Sequence, residues 1–286
     1  MTTLQNKIDF ALILRVTNAN PNGDPLNGNR PRTNYDGIGE ISDVCLKRKL
    51  RDRLQETGEA IFVQSDDRRA DGDDYRSLAE RAKGKLKDFG GPQMADNACK
   101  LWFDVRAFGQ LFAIKSDKGK KKKGEEGEAE GSDTGISIGI RGPVTIQTAF
   151  SLESVEITST QITKSVSGEG DGSKRSSDTM GMKHRVDSGV YVSFGSMNPQ
   201  LAVRTGFSDD DAAKIKAILP KLFENDASSA RPEGSMEVLK VIWWEHPSKA
   251  GTCSSAKVHR SVEVDKTGNV SVHKIAGISL EIIDGF

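Results

Sequence analysis

The run Ile8-Asp-Phe-Ala-Leu-Ile-Leu-Arg-Val16 decides how this chain is read. It is apolar almost without interruption and bounded by polar residues, the pattern of a buried strand. Directly after it come residues 18–40, NANPNGDPLNGNRPRTNYDGIGE, built from Asn, Gly, Pro and Asp. This segment lacks the Ser/Glu/Lys monotony of a linker, and ordered loops of such length inside a domain usually carry function. Ser42 or Asp43 then caps a helix that runs to about Thr57 and is stopped by Gly58. The helix has an apolar stripe of Leu46, Leu50 and Leu54 at spacing four, and Lys47, Arg48, Lys49, Arg51 and Arg53 cover the rest of its surface.

Outward from this start the chain reads as alternating elements and insertions. A short strand is expected at 60–64, then an acidic loop and a second helix near 75–87. Residues 100–114 are apolar with mixed period and receive no assignment. Residues 115–134, KSDKGKKKKGEEGEAEGSDT, are low-complexity, basic then acidic, and read as a disordered surface loop. A strand pair is expected at 136–140 and 144–148, followed by an alternating stretch at 155–162. Residues 165–177 are rich in Gly and Ser and end in basic residues. Their flanks, 158–164 and 183–192, read as the two strands of a protruding hairpin, and 189–194 alternate like a strand. Ser208 caps a further helix, with Asp209, Asp210 and Asp211 in its first turn and Ile215, Ile218, Leu222 and Phe223 on one face; Pro220 kinks it. Residues 236–244 form a strand, and 270–283 hold one or two more. The order strand, helix, strand, insertions, strand, helix, strand predicts an α+β fold of RRM-like (ferredoxin-like βαββαβ) type with large insertions, as a single domain over 1–286.

Composition narrows the function classes. Of 286 residues, 41 are basic and 41 acidic, a net charge of +0 that taken alone argues against nucleic-acid binding. The signs are segregated, however. Acidic residues cluster at 66–74, 125–130 and 209–211, and basic ones at 47–53, 118–123 and 174–185. Such a pattern suits one basic groove, or a chain that stacks on copies of itself. Three cysteines, Cys45, Cys99 and Cys253, lie far apart in the sequence. Buried thiols in a reducing cytoplasm fit that number better than disulfides or a zinc site. No apolar run reaches bilayer length, and the first residues lack the layout of a secretory signal, so a cytoplasmic chain without membrane contact is expected.

Catalytic signals fail one by one. GEGDG at 168–172 has Ser173 where a dinucleotide loop needs its last glycine, and Ser173-Lys174-Arg175 breaks a phosphate loop. The acidic stretch 67–74 places Arg69 at a calcium-ligand position. His184, His246, His259 and His273 share no metal-ligand spacing. No serine or cysteine sits in a nucleophile elbow. No enzyme activity, cofactor or metal is expected.

What remains are diffuse anion-binding signals. Asn18, Asn20, Asn22, Asn27 and Asn29 with Gly23 and Gly28 either turn amides outward toward phosphate and ribose, or build a well-capped structural loop. Arg30 and Arg32 bracket Pro31, which holds both guanidiniums on an extended segment. The cations of the first helix are either a solvated face or a phosphate-binding one. Lys164, Lys174, Arg175, Lys183, His184 and Arg185 lie on a Gly-rich protrusion that is either a flexible finger able to close over a strand or a charged loop kept soluble, and Met180 and Met182 near it are either wedges between bases or surface packing. Aromatics are only 6% of residues, and none is placed like the stacking pair of a standard RRM sheet. Binding should therefore run through phosphates, sugars and loops.

Several stretches, in one order along the chain, resemble a known family. They are Arg15-Val-Thr-Asn-Ala-Asn-Pro-Asn-Gly-Asp-Pro-Leu-Asn-Gly-Asn-Arg-Pro-Arg32 and Gly37-Ile-Gly-Glu-Ile-Ser-Asp-Val-Cys-Leu-Lys-Arg-Lys-Leu-Arg51, then Asp104-Val-Arg-Ala-Phe-Gly109 and Arg141-Gly-Pro-Val144. Lys183-His-Arg-Val-Asp-Ser-Gly-Val-Tyr191 and Arg231-Pro-Glu-Gly-Ser-Met236 complete the set. The chain resembles the backbone subunit of the type I-C Cascade complex, of the RAMP superfamily. That resemblance implies an RRM-like palm with helical fingers and a thumb hairpin, here a finger insertion over 65–134 and a thumb over 158–185. It also implies a non-catalytic filament subunit, several copies of which polymerise along CRISPR RNA and leave most bases free to pair with a target DNA strand. The implied partners are CRISPR RNA, that DNA strand, further copies of the chain, and the other Cascade subunits (foot or cap, large and small). The expected RNA-binding residues are Asn18, Asn20, Asn22, Arg30, Arg32, Lys47, Arg48, Lys49, Arg51, Arg141, Lys164, Lys183, His184 and Arg185. A RAMP-type endoribonuclease using Asp24, Asp36 or Asp43 is the competing reading, and a self-assembling scaffold without nucleic acid is the third.

Overall fold

The computed structural model describes residues 2–114, 136–163 and 180–286. In chain order the first elements are β1 (Ile8–Ala19), the two-residue strands β2 (Gly23–Asp24) and β3 (Arg30–Pro31), β4 (Ile38–Ile41) and α1 (Asp43–Glu56). Next come α2 (Leu78–Lys85), α3 (Met94–Leu101), α4 (Phe103–Phe108), β5 (Gly109–Ile114), β6 (Ile136–Arg141), β7 (Val144–Ile146), β8 (Ala149–Ser154) and β9 (Ile157–Thr163). The 18-residue β10 (Met180–Met197) precedes α5 (Pro199–Thr205), α6 (Asp209–Ile218) and β11 (Met236–Glu245). The chain closes with α7 (Ser255–His259), β12 (Val262–Val264), β13 (Val270–Val272) and β14 (Ser279–Asp284).

The fold is a mixture of helices and strands around one large antiparallel sheet. Its strand order is β14-β11-β1-β10-β8-β4, with β7 and β9 also paired to β10. β1 lies between β10 and β11 and is antiparallel to both along most of its length. Within that sheet β11, β1, β10 and β8 are consecutive neighbours; α1 follows β1 in the chain, and α6 lies between β10 and β11.

The unbroken apolar run of β1 has a direct cause, because both its faces are buried. Phe10, Leu12, Leu14 and Val16 point to one face and pack with Leu46, Leu50 and Leu54 of α1 and with Ile215 and Ile218 of α6. Each of the three α1 leucines is fully buried, which stabilises the fold by roughly 1.5–3 kcal/mol apiece. Ala11 and Ile13 point to the opposite face. There they join Trp244, Ile242, Val190 and Val258, with Val262, Val264, Val270, Val272, Ile275 and Ile278 packed on them. Residues 247–278 therefore form a cover over the second face of the sheet.

Tertiary partners correct several expectations. Residues 60–64 form no strand. Ile61 and Phe62 are buried, and the Phe62 and Val63 N–H groups donate to the Asp104 carboxylate at 2.7 and 3.1 Å. One side chain thus takes the place of a partner strand. β6 does not pair with the strand after it. It pairs with β5, while β7 joins β10. Residues 100–114, whose mixed period points to no single element, are the end of α3, then α4 and β5. The kink expected at Pro220 is a change of helix type: α6 stops at Ile218 and continues as a 3-10 turn, Leu219–Lys221. The expectation of a disordered loop over 115–134 lies outside the described residues.

One polar residue of the β1 run, Asp9, is fully buried beneath the cover. Its Oδ2 accepts from His246 Nε2 at 2.8 Å, His246 Nδ1 accepts the Thr252 N–H at 3.0 Å, and His259 Nε2 faces Asp9 Oδ1 at 3.5 Å. Lys7 Nζ lies 3.4 Å from Asp9 Oδ2. Burial alone would raise the Asp9 carboxyl; His259, Ser255, His246 and Lys7 together outweigh it and bring it from 3.8 down to about 2. A carboxyl depressed in the folded state contributes stability above its unfolded value, and that contribution is lost as pH falls through the folded one. The stability difference between wild type and Asp9→Asn, measured by urea unfolding, should therefore be constant near neutral pH and shrink between about pH 4 and pH 2. A difference that does not change over that window would show that the ionised carboxylate does not hold the cover.

Candidate nucleic-acid interface

The segment after β1 is a built scaffold. Asn18 begins it with φ +53°, a left-handed conformation that asparagine tolerates better than most residues. β2 and β3 pair as a small ribbon whose tip is a 3-10 turn, Pro25–Asn27, capped by the Asp24 side chain, which accepts the Leu26 N–H. Gly28 closes that turn at φ +58°, a position where any side chain would be strained.

The asparagines are divided by what they bond. Asn20 is buried, and its Nδ2 donates to the Asn29 carbonyl at 2.6 Å. The Asn22 Oδ1 accepts the Ser42 N–H at 2.9 Å, tying the ribbon to the start of α1. Both hold the loop together, as the structural-loop reading of these asparagines expects, and the bonded groups, Asn20 Nδ2 and Asn22 Oδ1, face the protein and not a ligand. Asn18 alone of the three is exposed.

The basic helix face is likewise redirected. Lys49 is buried and paired with Asp226, with its ammonium 5.6 Å from the centre of the Phe223 ring. Arg51 Nε donates to Asp104 at 2.9 Å, and its guanidinium lies over Phe108. Lys47 pairs with Asp43 at 2.9 Å, Arg48 with Asp52 at 3.5 Å, and the buried Arg53 with Glu56 at 2.8 Å. Each cation of α1 thus has an internal carboxylate, and those on Lys49 and Arg51 come from elsewhere in the chain. The cleft beside α1, about 410 Å³, has Arg48, Lys49, Arg68 and Arg231 on its walls but also Asp52, Asp67 and Asp226. Four cations against three carboxylates leave little net field for a polyanion.

Of the other expected RNA-binding residues, Arg30, Lys183, His184 and Arg185 sit where the ribbon meets the hairpin of β9 and β10. The register Lys183↔Thr160, His184↔Ser159 and Arg185↔Thr158 divides the hairpin's side chains between two faces. His184 Nδ1 is 2.8 Å from Ser159 Oγ on one face, and Arg30 Nη1 of the ribbon donates to the same hydroxyl at 3.0 Å. Met180 and Met182 lie on the His184 face and are 69% and 54% exposed. Lys183 and Arg185 lie on the other face; Arg185 sits 3.4 Å from Asp187, and no ion pair joins Lys183 to any described residue. The Arg32 side chain lies 3.4 Å from Asp24. Arg141 is exposed at the end of the β5–β6 ribbon, in a separate part of the fold. Lys164 falls outside the described residues. Ser159, which joins ribbon to hairpin, is not singled out by the sequence; its only signal there is its place in an alternating stretch.

Of the three aspartates that a nuclease reading would use, Asp24 caps its own turn and Asp43 is paired with Lys47, while Asp36 is exposed. Among the described residues no group of three or more His, Cys, Asp or Glu side chains is placed to hold a metal ion. No helix among the described residues is long and apolar enough to cross a membrane.

A large antiparallel sheet with a cationic ribbon facing the long hairpin of β9 and β10 defines a mixed α/β protein. The chain belongs to the family of the CRISPR-associated protein Cas7, whose model matches residues 6–282. A CRISPR-associated protein Cas7 of Haloferax volcanii is 28% identical over 259 residues, covering 84% of this chain and 71% of the relative. Among solved structures, a chain of a CRISPR RNA-guided surveillance complex, pre-nicking, is 15% identical with a TM-score of 0.45, over 83% of this chain and 75% of that one. A chain of a second CRISPR RNA-guided surveillance complex is also 15% identical, with a TM-score of 0.41, over 83% of this chain and 68% of that one.

The pairing of α1 has a direct consequence. Lys49→Ala should lower stability by about 1–3 kcal/mol in denaturant unfolding, since it leaves Asp226 with Arg231 as its remaining partner. The same change should leave the salt dependence of any nucleic-acid binding unaltered. A shallower salt slope with unchanged stability would mean that Lys49 leaves Asp226 for phosphate.

Proposed function

We propose that this protein is a CRISPR RNA-binding backbone subunit of a type I-C Cascade-type surveillance complex, acting without catalysis of its own. The observation that carries the reading is the family match across residues 6–282. The ribbon and hairpin support it, because Arg30 and His184 meet at Ser159, with Lys183 and Arg185 on the opposite face of the same hairpin.

In this reading β1, β8, β10 and β11 with α1 and α6 are the RRM-like palm. The insertion over 65–134 supplies the fingers, and 158–185 is the thumb. Guide phosphates lie along the ribbon and the hairpin base, where charge-assisted hydrogen bonds come from the guanidiniums and the imidazole. Met180 and Met182 present apolar, adaptable side chains on one hairpin face, suited to wedging between bases. Copies of the chain stack along the guide in the cytoplasm, beside the foot or cap, large and small subunits. The bases between successive hairpins stay open to a target DNA strand. The sheet itself does not stack bases, because the 247–278 cover occupies the face that would do so.

Arg30→Gln with Lys183→Gln should weaken binding of single-stranded RNA alike for all sequences. It should also make the salt slope shallower by about 1.4 units, or about 0.7 for each phosphate that is no longer neutralised. A slope equal to that of wild type would remove both residues from the interface. For the competing nuclease reading, purified protein with CRISPR repeat RNA and a divalent cation should leave the RNA intact. Cleavage that disappears in Asp24→Ala, Asp36→Ala or Asp43→Ala would establish catalysis instead.

A further inference from the structure

The cover over the sheet carries charge that the rest of the chain does not. Between residues 247 and 278, Lys249, Lys257, Arg260, Lys266 and Lys274 stand against only Glu263 and Asp265, in a chain whose total is +0. Both carboxylates are engaged. Glu263 is 3.3 Å from His273, and Asp265 accepts from Thr267 and Asn269 within its own turn. Lys266 reaches across to Glu153. No ion pair joins Lys249, Lys257, Arg260 or Lys274 to any described residue, and all four side chains are exposed.

Three of these cations are gathered. Lys257 and Arg260 are one helical turn apart at α7, whose intervening Val258 is buried in the core. The His273 N–H donates to the Ser261 carbonyl at 2.8 Å and extends the β12–β13 ladder by one pair. Arg260, the C-cap of α7, directly precedes Ser261, and Lys274 directly follows His273, so that bond draws the two cations toward one end of the β12–β13 ladder. Lys257 and Arg260, three residues apart on one helical turn, repel one another, in a protein that pairs every cation of α1 internally. The repulsion is relieved by an anionic partner.

The partner's class follows from what the patch lacks. Between Val203 and Ile282 no large apolar side chain stands exposed among the described residues. Protein interfaces are centred on buried apolar and aromatic anchors, whereas phosphate backbones are held by cations alone. We infer that Lys257, Arg260 and Lys274 form a second phosphate-backbone site on the cover. It is separate from the ribbon and hairpin, and it holds a nucleic-acid strand other than the one bound there.

This rests on the preceding reading only in supposing that the ribbon and hairpin are already filled. The test uses the full chain saturated with a guide-type RNA. That complex is titrated at several salt concentrations with labelled single-stranded and duplex DNA lacking complementarity to the RNA. In Lys257→Gln/Arg260→Gln/Lys274→Gln, DNA affinity at low salt should fall about tenfold or more. The slope should become shallower by up to about 2 units for the single strand and somewhat more for the duplex. RNA should be retained as in wild type, and Lys257→Arg/Lys274→Arg should keep its DNA affinity. Unchanged affinity and slope in both DNA arms overturns the inference. Loss of RNA in step with DNA also overturns it, since the patch would then be part of one continuous RNA site. Wild-type protein that fails to hold RNA refutes the guide-binding reading instead, and the DNA titration on the free chain still decides the second site.

Discussion

The burial of β1 on both faces is the constraint on which the rest of the structure depends. A strand placed between β10 and β11, with helices on one side and the 247–278 cover on the other, has no face left for a ligand. Its residues are chosen for packing, and a binding surface must lie beyond β1. That is where the extended parts of the fold go. The β2–β3 ribbon leaves one end of β1, and β10 runs past the pairing region of β1 to form the hairpin with β9. The Arg30–Ser159–His184 contact joins the two.

Charge follows the same logic. Taking a lysine or arginine out of water is costly unless a carboxylate meets it. The cations of α1 lie close against the body of the protein and are met in this way by Asp43, Asp52, Glu56, Asp104 and Asp226. Neutrality of the whole chain is in part the sum of these pairs. Among the described residues, Arg30 of the ribbon, Lys183 of the hairpin and Lys257, Arg260 and Lys274 of the cover have no carboxylate partner. A net charge of zero therefore coexists with local surfaces suited to phosphate.

The Asp9 cluster illustrates how an element of the core and a later segment are joined. Asp9 comes from the first strand, whereas His246 and His259 come from the cover and its approach. The histidines share no spacing in the sequence and meet only because the cover folds back over β1. An ionised carboxylate there binds the cover to the sheet by polar contacts as well as by the surrounding apolar cluster.

Local order was legible in the sequence because it depends on neighbours two to four residues apart. Period and capping placed β1, α1, α6, β11 and the flanks of the hairpin, and the motif-bearing stretches pointed to the family. The sequence also located Arg30, Lys183 and His184 on a loop and a hairpin. What only the tertiary structure decided was where each polar group ends up. Lys49 meets a carboxylate 177 residues away, and Arg51 meets one 53 residues away. Asp104 completes the bonds of a segment that read as a strand, and Asn20 and Asn22 turn inward to hold the loop. Side-chain periodicity carries no record of such distant partners. A basic helix face therefore looks the same in sequence whether it waits for phosphate or is already neutralised from within.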